Sequence, residues 1–130
     1  MIKDIAVKEI MSREVITVRQ NDRLTKAQQI LSTNPIHHLV VIKDGKVSGI
    51  LSKADMMGAM LNGNGKIVHE SEISIAEVMT KNPMTVEPDD TIGLVADIIL
   101  ANKFHSLPVV EDGELVGIVT SHDLLKHVYK

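Results

Sequence analysis

Hydrophobic and polar positions along this chain form one pattern that is written twice. Apolar residues at Leu24, Ala27 and Leu31 recur at i, i+3 and i+7, and Ile92, Val95 and Ile99 repeat the spacing. That period lays a stripe along one face of an α-helix. Each stripe follows a short β-prone run, Ile16-Thr17-Val18 or Met84-Thr85-Val86. Asp22 and Asp90 stand where an N-cap belongs, and Asn34-Pro35 and Asn102-Lys103 end the two helices. Two apolar runs come next, Leu39–Ile42 and Leu107–Val110. An Asp-Gly pair (Asp44-Gly45, Asp112-Gly113) joins each to a second run, Val47–Leu51 or Leu115–Val119. Asp-Gly between apolar runs predicts a hairpin, because both turn residues need positive φ. A last helix is predicted from near Ser52 or Thr120, carrying Met56, Met57 and Met60 or Leu124, Leu125 and Val128.

The two halves align without a gap at an offset of 68 positions: Met11 with Met79, Val18 with Val86, Asp22 with Asp90, His37 with His105, Gly49 with Gly117, Asp55 with Asp123. About 14 of about 47 aligned positions are identical, where single-residue frequencies would give roughly three. The chain is a duplication. Each copy reads β-α-β-β-α, which predicts the α+β class, with repeats at 7–57 and 75–125 and a connection at 58–74. Asn62-Gly63-Asn64-Gly65 marks that connection as a turn. One copy alone has a marginal core; two copies packed sheet to sheet with pseudo-two-fold symmetry would share one.

Composition narrows the function classes. With no cysteine among 130 residues, disulfides, thiolate metal sites and cysteine nucleophiles are excluded. A net charge of −3, no cluster of Lys or Arg and 2% aromatics leave neither a phosphate footprint nor stacking platforms, so no nucleic-acid partner is expected. No apolar run reaches membrane-spanning length and the first residues show no signal-peptide pattern, so the expectation is a cytoplasmic protein with no membrane partner.

The strand ending in Thr-Val, the helix behind it, the apolar-plus-Asp-Gly hairpin and Gly-Ile-x-Ser/Thr-x-x-Asp, in that order and twice, resemble the CBS domain (cystathionine β-synthase domain). Two in tandem resemble a Bateman module, and the likeness covers Val7–Leu125. The resemblance implies a regulatory fold whose paired sheets form two clefts. Adenosine-containing ligands such as AMP, ADP, ATP or S-adenosylmethionine bind there in this family. It also implies a homodimer and modulation of a protein target. No stretch of this chain is left over for an attached enzyme, so the module resembles a stand-alone one acting in trans.

Gly49-Ile50-Leu51-Ser52-Lys53-Ala54-Asp55 and Gly117-Ile118-Val119-Thr120-Ser121-His122-Asp123 match the family's ligand motif. A carboxylate, Asp55 or Asp123, can accept both hydroxyls of a ribose diol, and Ser52 or Thr120 can bond ribose or phosphate. The helix start, with Ser121 in the second copy, offers free N–H groups to a phosphate, and Lys53 or a protonated His122 adds positive charge. Gly49 and Gly117 are expected to leave the backbone bare where a nucleoside approaches. The same Ser/Thr-x-x-Asp spacing is also a helix cap, and duplication copies a cap as faithfully as a site. Both readings stand at this point. By resemblance the base lies near Ile16, Thr17, His37 and Leu39 in the first copy and near Met84, Thr85, His105 and Leu107 in the second; the same residues also read as ordinary core strands. Pro83 and Pro108 bring the second copy closer to the family pattern than Val15 and Val40 bring the first.

The remaining chemistry is thin. Six histidines invite a metal, but His37-His38 are adjacent and His122 and His127 are five apart, off the i, i+4 spacing of a zinc-binding helix face; no metal site is expected. No acid–base pair, Ser/His/Asp set or phosphate loop stands out, so no catalytic residue is assigned and no enzyme is expected. The methionines near Met56 read as core, with self-association as the second use. The rival function is a ligand-independent dimerisation or protein-interaction module in which Ser52/Asp55 and Thr120/Asp123 are caps only.

Overall fold

Both hairpins form where the Asp-Gly pairs place them in the computed structural model, which describes residues 1–60, 69–102 and 104–129. Strand β2 (His38–Lys43) pairs antiparallel with β3 (Lys46–Ser52), and β5 (Ser106–Glu111) with β6 (Glu114–Thr120). Asp44 and Gly45 take φ of 51° and 79°, and Asp112 and Gly113 take 52° and 82°. Positive φ at both turn residues gives the twist that paired strands require. The Asn62-Gly63-Asn64-Gly65 turn, Lys103 and Lys130 lie outside the described residues.

The helical stripes also fold as read. Helix α1 (Leu24–Thr33) buries Leu24, Ala27 and Leu31, and its repeat α3 (Ile92–Asn102) buries Ile92 and Val95. The asparagines end them from the side chain: Asn34 Nδ2 donates to the Ile30 carbonyl at 2.9 Å and Asn102 Nδ2 to that of Ile98 at 3.0 Å. Helices α2 (Lys53–Ala59) and α4 (Ser121–Tyr129) start directly off β3 and β6. The architecture is α+β.

The chain divides into two compact units, a contiguous one over Ile16–Pro83 and a composite one made of Met1–Val15 with Met84 onward. In the contiguous unit the strand order is β1-β2-β3-β4, with β1 (Thr17–Arg19) parallel to β2 and β4 (Thr80–Lys81) antiparallel to β3. A parallel neighbour needs a crossover, which α1 supplies. Val18, Leu24, Ala27, Leu31, Leu39, Val41, Leu51, Met56 and Ile75 form its core, each large side chain stabilising by about 1.5–3 kcal/mol. In the composite unit Val7, Val86, Val95, Leu107, Val109 and Val119 do the same.

One expected strand is reduced to a single bridge. Met84-Thr85-Val86 pairs with β5 only through Val86 and Val109, by Val86 N–H to the Pro108 carbonyl (3.0 Å) and Val110 N–H to the Val86 carbonyl (2.8 Å). In the contiguous unit the Gln20 N–H reaches the Ile42 carbonyl and Val40 lies inside the ladder. The composite unit has Pro88 and Pro108 at those two positions. Neither carries an N–H, so the ladder is cut at both ends.

The first residues of each repeat belong to the other repeat's unit. Val7–Glu9 and Ile75–Glu77 are single 3-10 turns that bury Val7 and Ile75 completely. Val7 N–H donates to the Asp90 carbonyl (2.7 Å) and Lys8 N–H to that of Pro88; Ile75 and Ala76 do the same to Asp22 and Gln20. The N-terminal arm thus completes the core of the second repeat, while residues 75–80 complete that of the first.

Asp22 and Asp90 do not cap the helices. The Arg19 N–H donates to Asp22 Oδ2 at 2.9 Å and the Glu87 N–H to Asp90 Oδ2 at 2.8 Å, while each aspartate's own N–H returns to the same residue's carbonyl. Each carboxylate closes the turn before the helix. The cap position is Arg23, without a side-chain cap bond, before α1, and Thr91 supplies the acceptor for Leu94 N–H before α3. The Arg19 amide, with the Lys26 ammonium 3.3 Å away, holds the Asp22 carboxyl below its ordinary range. A carboxyl that titrates lower when folded stabilises fully above its unfolded pKa of about 3.9 and loses that contribution as pH falls through the lower folded value. Asp22→Asn is therefore expected to lower stability by about 1 kcal/mol at neutral pH and to flatten the acid limb of the urea midpoint below about pH 4. An acid limb identical to that of the wild type would show that Asp22 does not contribute to it.

Candidate functional site

In the composite unit the motif residues meet where β6 hands over to α4. Asp123 Oδ2 accepts from the Thr120 N–H at 2.9 Å and from the Thr120 hydroxyl at 3.0 Å, while the Asp123 N–H donates to Thr120 Oγ1 at 3.1 Å. This is a reciprocal capping box. Thr120, Ser121 and Asp123 are half-buried and His122 is exposed. Ser121 N–H donates to the His105 carbonyl at 3.0 Å and Thr120 lies across from Ser106, so the start of β5 borders the box. Thr85 and Met84 precede the bridge at Val86 and are exposed, as is His105. Leu107 is 1% exposed within the core, which leaves only its backbone to a ligand.

The contiguous unit repeats the arrangement. Ser52 N–H donates to Asp55 Oδ2 (3.2 Å) and Asp55 N–H to Ser52 Oγ (3.0 Å). Lys53 N–H reaches the His37 carbonyl at 3.0 Å, and His38 lies across from Ser52. Lys53, Thr17 and His37 are exposed. Ile16 packs against the core and Leu39 lies wholly inside it. Each expected set of residues falls within one unit.

The glycines have a reason within the fold itself. A Cβ on Gly117 would stand 2.9 Å from the Ser12 carbonyl oxygen and 2.7 Å from Met11 Sδ; one on Gly49 would stand 2.8 Å from the Thr80 oxygen and 2.5 Å from Met79 Sδ. The space over each glycine is filled by the arm, through the Ser12–Ile118 bridge in one unit and the β3–β4 pairing in the other. Met11, Ser12, Met79 and Thr80 are thus the neighbours that sequence reasoning missed. The signal was present in the shared offset of Met11/Met79 and Gly49/Gly117, but the contact joins opposite copies, which alignment alone does not show.

Chemically, each box is a half-buried carboxylate with one oxygen committed. No hydrogen bond reaches Oδ1 of Asp55 or Asp123 among the described residues. A free carboxylate oxygen beside a helix start can accept a hydroxyl, and hydrogen bonds to a charged acceptor are the stronger kind. Against this, Asp22, Asp90 and Glu77 close the same bond onto the N–H three residues earlier, at turns with no ligand motif. The Ser74 N–H and hydroxyl hold the Glu77 carboxyl below its ordinary range. No cluster of three metal-ligating side chains is present, and no helix is long and apolar enough to cross a membrane, among the described residues.

Two β-α-β-β-α repeats, each with a Ser/Thr-x-x-Asp box at the last helix, define a tandem-repeat α+β architecture. The model of the CBS domain matches residues 7–62 and 75–130, and the chain belongs to the CBS domain family, with two such domains in tandem. It is similar to the CBS domain pair of protein MJ0100, solved in complex with 5′-methylthioadenosine and S-adenosyl-L-methionine: 32% identity, TM-score 0.83, 96% of each chain covered. Inosine-5′-monophosphate dehydrogenase of Korarchaeum cryptofilum is 35% identical over 113 residues, which is 86% of this chain and 22% of that protein. A CBS domain-containing protein of Dictyostelium discoideum is 28% identical over 134 residues, 97% of this chain and 92% of that one. The chain spans 22% to 41% of the length of the first curated relatives it matches.

Proposed function

We propose that this CBS pair is a regulatory module that senses an adenosine-containing ligand (AMP, ADP, ATP or S-adenosylmethionine) and modulates a protein partner in trans, without catalysing a reaction itself. The observation that carries the reading is the half-buried Asp123, which holds Thr120 through Oδ2 and keeps Oδ1 unbonded among the described residues. Exposed His105 borders it, its carbonyl accepting the Ser121 N–H, and Asp55 repeats it. The similar MJ0100 pair holds two adenosine derivatives. In this reading Asp123 takes the ribose diol and a ligand acts by binding one conformation of the module better than another. Self-association belongs to the same proposal, supported by Leu125, Val128 and Tyr129, which α4 leaves exposed.

Titration calorimetry with 5′-methylthioadenosine, S-adenosylmethionine, AMP and ATP is expected to show saturable binding of at least one, at no more than two per chain. Absence of heat from all four, on protein shown by mass spectrometry to carry no ligand, sinks the proposal. A second reading, a ligand-independent interaction module, is favoured by one observation: both boxes are complete caps without a ligand. It predicts no response to any of the four.

A further inference from the structure

The seven methionines differ in how far the fold covers them. Met1, Met57 and Met84 are exposed, Met56 is 1% exposed within the core, and Met11, Met60 and Met79 are half-buried. Met11 and Met79 are equivalent in the duplication and occupy the same place in the two units. Met11 packs against the core of the composite unit and Met79 against that of the contiguous one. Each thioether lies on the bare glycine of the last strand, Gly117 of β6 or Gly49 of β3. A Cβ on those glycines would meet Sδ at 2.7 Å or 2.5 Å. The N–H of each methionine closes the 3-10 turn before it, onto the Val7 carbonyl at 2.9 Å or the Ile75 carbonyl at 3.0 Å. The next residue, Ser12 or Thr80, pairs with Ile118 or Ile50 beside the glycine. Each methionine thus sits between a buried turn and the backbone pairing that follows it.

A thioether suits this apolar niche and a sulfoxide does not. The sulfoxide oxygen is a polar acceptor, and the N–H groups at the bridge are already engaged. Ser12 N–H donates to the Ile118 carbonyl at 2.9 Å, and Ile118 N–H to the Ser12 carbonyl at 3.0 Å. An oxidised Met11 has to take one of those donors or turn out to water and uncover the glycine. Half-exposure gives a small oxidant access to the sulfur. We infer that Met11 and Met79 are peroxide-sensitive latches, whose oxidation loosens Met11-Ser12 from β6 and Met79-Thr80 from β3. In the step, a sulfur lone pair attacks one oxygen of hydrogen peroxide, the S–O bond forms and the O–O bond breaks. The proton on the transferred oxygen passes to the departing hydroxide and gives water. Sulfur is oxidised by two electrons, peroxide is reduced, and methionine sulfoxide reductases reverse the change. The loosened strands are those that lead into Thr120 and Ser52, so the latch acts on each capping box whether or not the box holds a ligand.

A hydrogen peroxide titration of the full chain, read by peptide mass spectrometry, thermal melting and amide exchange, tests it. Oxidation is expected first at Met1, Met57 and Met84, then at Met11 and Met79, and last at Met56. The first stage should leave the melting midpoint where it was. The second should lower it by roughly 5 °C and speed exchange at the Ser12 and Ile118 amides about tenfold or more, and methionine sulfoxide reductase should undo both. Met11→Leu/Met79→Leu keeps the apolar volume. It is expected to hold its midpoint through the same exposure while its other accessible methionines oxidise, Met60 included. Exchange in the wild type alone decides the case in which the double variant folds poorly. Three results each overturn the inference: Met11 and Met79 that stay reduced until the chain unfolds, sulfoxides at both with unchanged exchange at Ser12 and Ile118, or a folded double variant that loses as much midpoint as the wild type.

Discussion

Gly117→Val is expected to lower the stability of the folded chain by about 3 kcal/mol, and Gly49→Val by a similar amount. At Gly117 the Met11 thioether can swing aside, but the Ser12 carbonyl cannot. It accepts the Ile118 N–H at 3.0 Å while Ser12 N–H donates to the Ile118 carbonyl at 2.9 Å, so a Cβ 2.9 Å from that oxygen forces the bridge open. Overpacking of this kind costs about 1–3 kcal/mol, and two backbone hydrogen bonds contribute about 1 kcal/mol each. The other glycines supply controls with different physics. Gly45→Ala meets nothing within 4 Å but must adopt φ near +79°, which costs roughly 1–2 kcal/mol by backbone strain alone. Gly58→Ala has open space within α2 and an ordinary φ, and is expected to be neutral or to stabilise by up to about 1 kcal/mol. Urea denaturation gives the ranking, and hydrogen exchange at the Ser12 and Ile118 amides gives the cause, since only Gly117→Val should deprotect both. A Gly117→Val chain as stable as Gly58→Ala would mean that the arm does not rest on this glycine.

What the sequence made legible is local. The Asp44-Gly45 and Asp112-Gly113 hairpins, the Leu24/Ala27/Leu31 stripe and the helix starts at Ser52 and Thr120 each depend on residues within a few positions of one another, where turn chemistry and periodicity act directly. Asp22 reads as a helix cap in sequence and is not one. An acidic residue two positions before a stripe serves a cap or the preceding turn equally well, and only the Arg19 N–H at 2.9 Å decides. Thr85 and Val86 read as strand because their own propensities are β; the missing N–H groups of Pro88 and Pro108, one of them on the partner strand, shorten the ladder.

The arm lay further out of reach. Val7 and Met11 align with Ile75 and Met79 as parts of their own repeats, yet each packs into the other repeat's core. Alignment reports which residues are equivalent and is silent on which copy they touch. The same limit applies to Gly49 and Gly117, whose bare backbone suits a ligand or a neighbouring strand equally in sequence. Leu39 and Leu107 read in sequence both as neighbours of a base and as core strand; strand alternation puts their side chains in the core and leaves their backbone as the part a base could meet.

An adenosine ligand at about a hundred times its dissociation constant is expected to stabilise the folded chain by about 2.7 kcal/mol, raising the melting midpoint by roughly 10 °C for a chain of this size. Asp123→Ala is expected to abolish that gain if the composite unit holds the ligand. The substitution itself lowers stability by about 1 kcal/mol, because the Thr120 N–H and hydroxyl both lose their acceptor. A lower starting midpoint is therefore no evidence of a site; the loss of the ligand's increment is. Asp123→Asn separates the two roles, since an amide oxygen still accepts the Thr120 N–H and keeps the cap, while the charge that strengthens bonds to a ribose diol is gone. Its midpoint without ligand should lie near that of the wild type and its ligand-induced rise should be much smaller. Asp55→Ala tests the contiguous unit in the same way, with Ser52 in place of Thr120. An increment that survives at Asp123 and vanishes at Asp55 moves the site to the first repeat, and one that survives in both moves the ribose contact off the two boxes. A wild type that gains nothing from any adenosine compound leaves Thr120/Asp123 and Ser52/Asp55 as caps, because a carboxylate that contributes only to its own helix has no differential affinity through which a ligand could act.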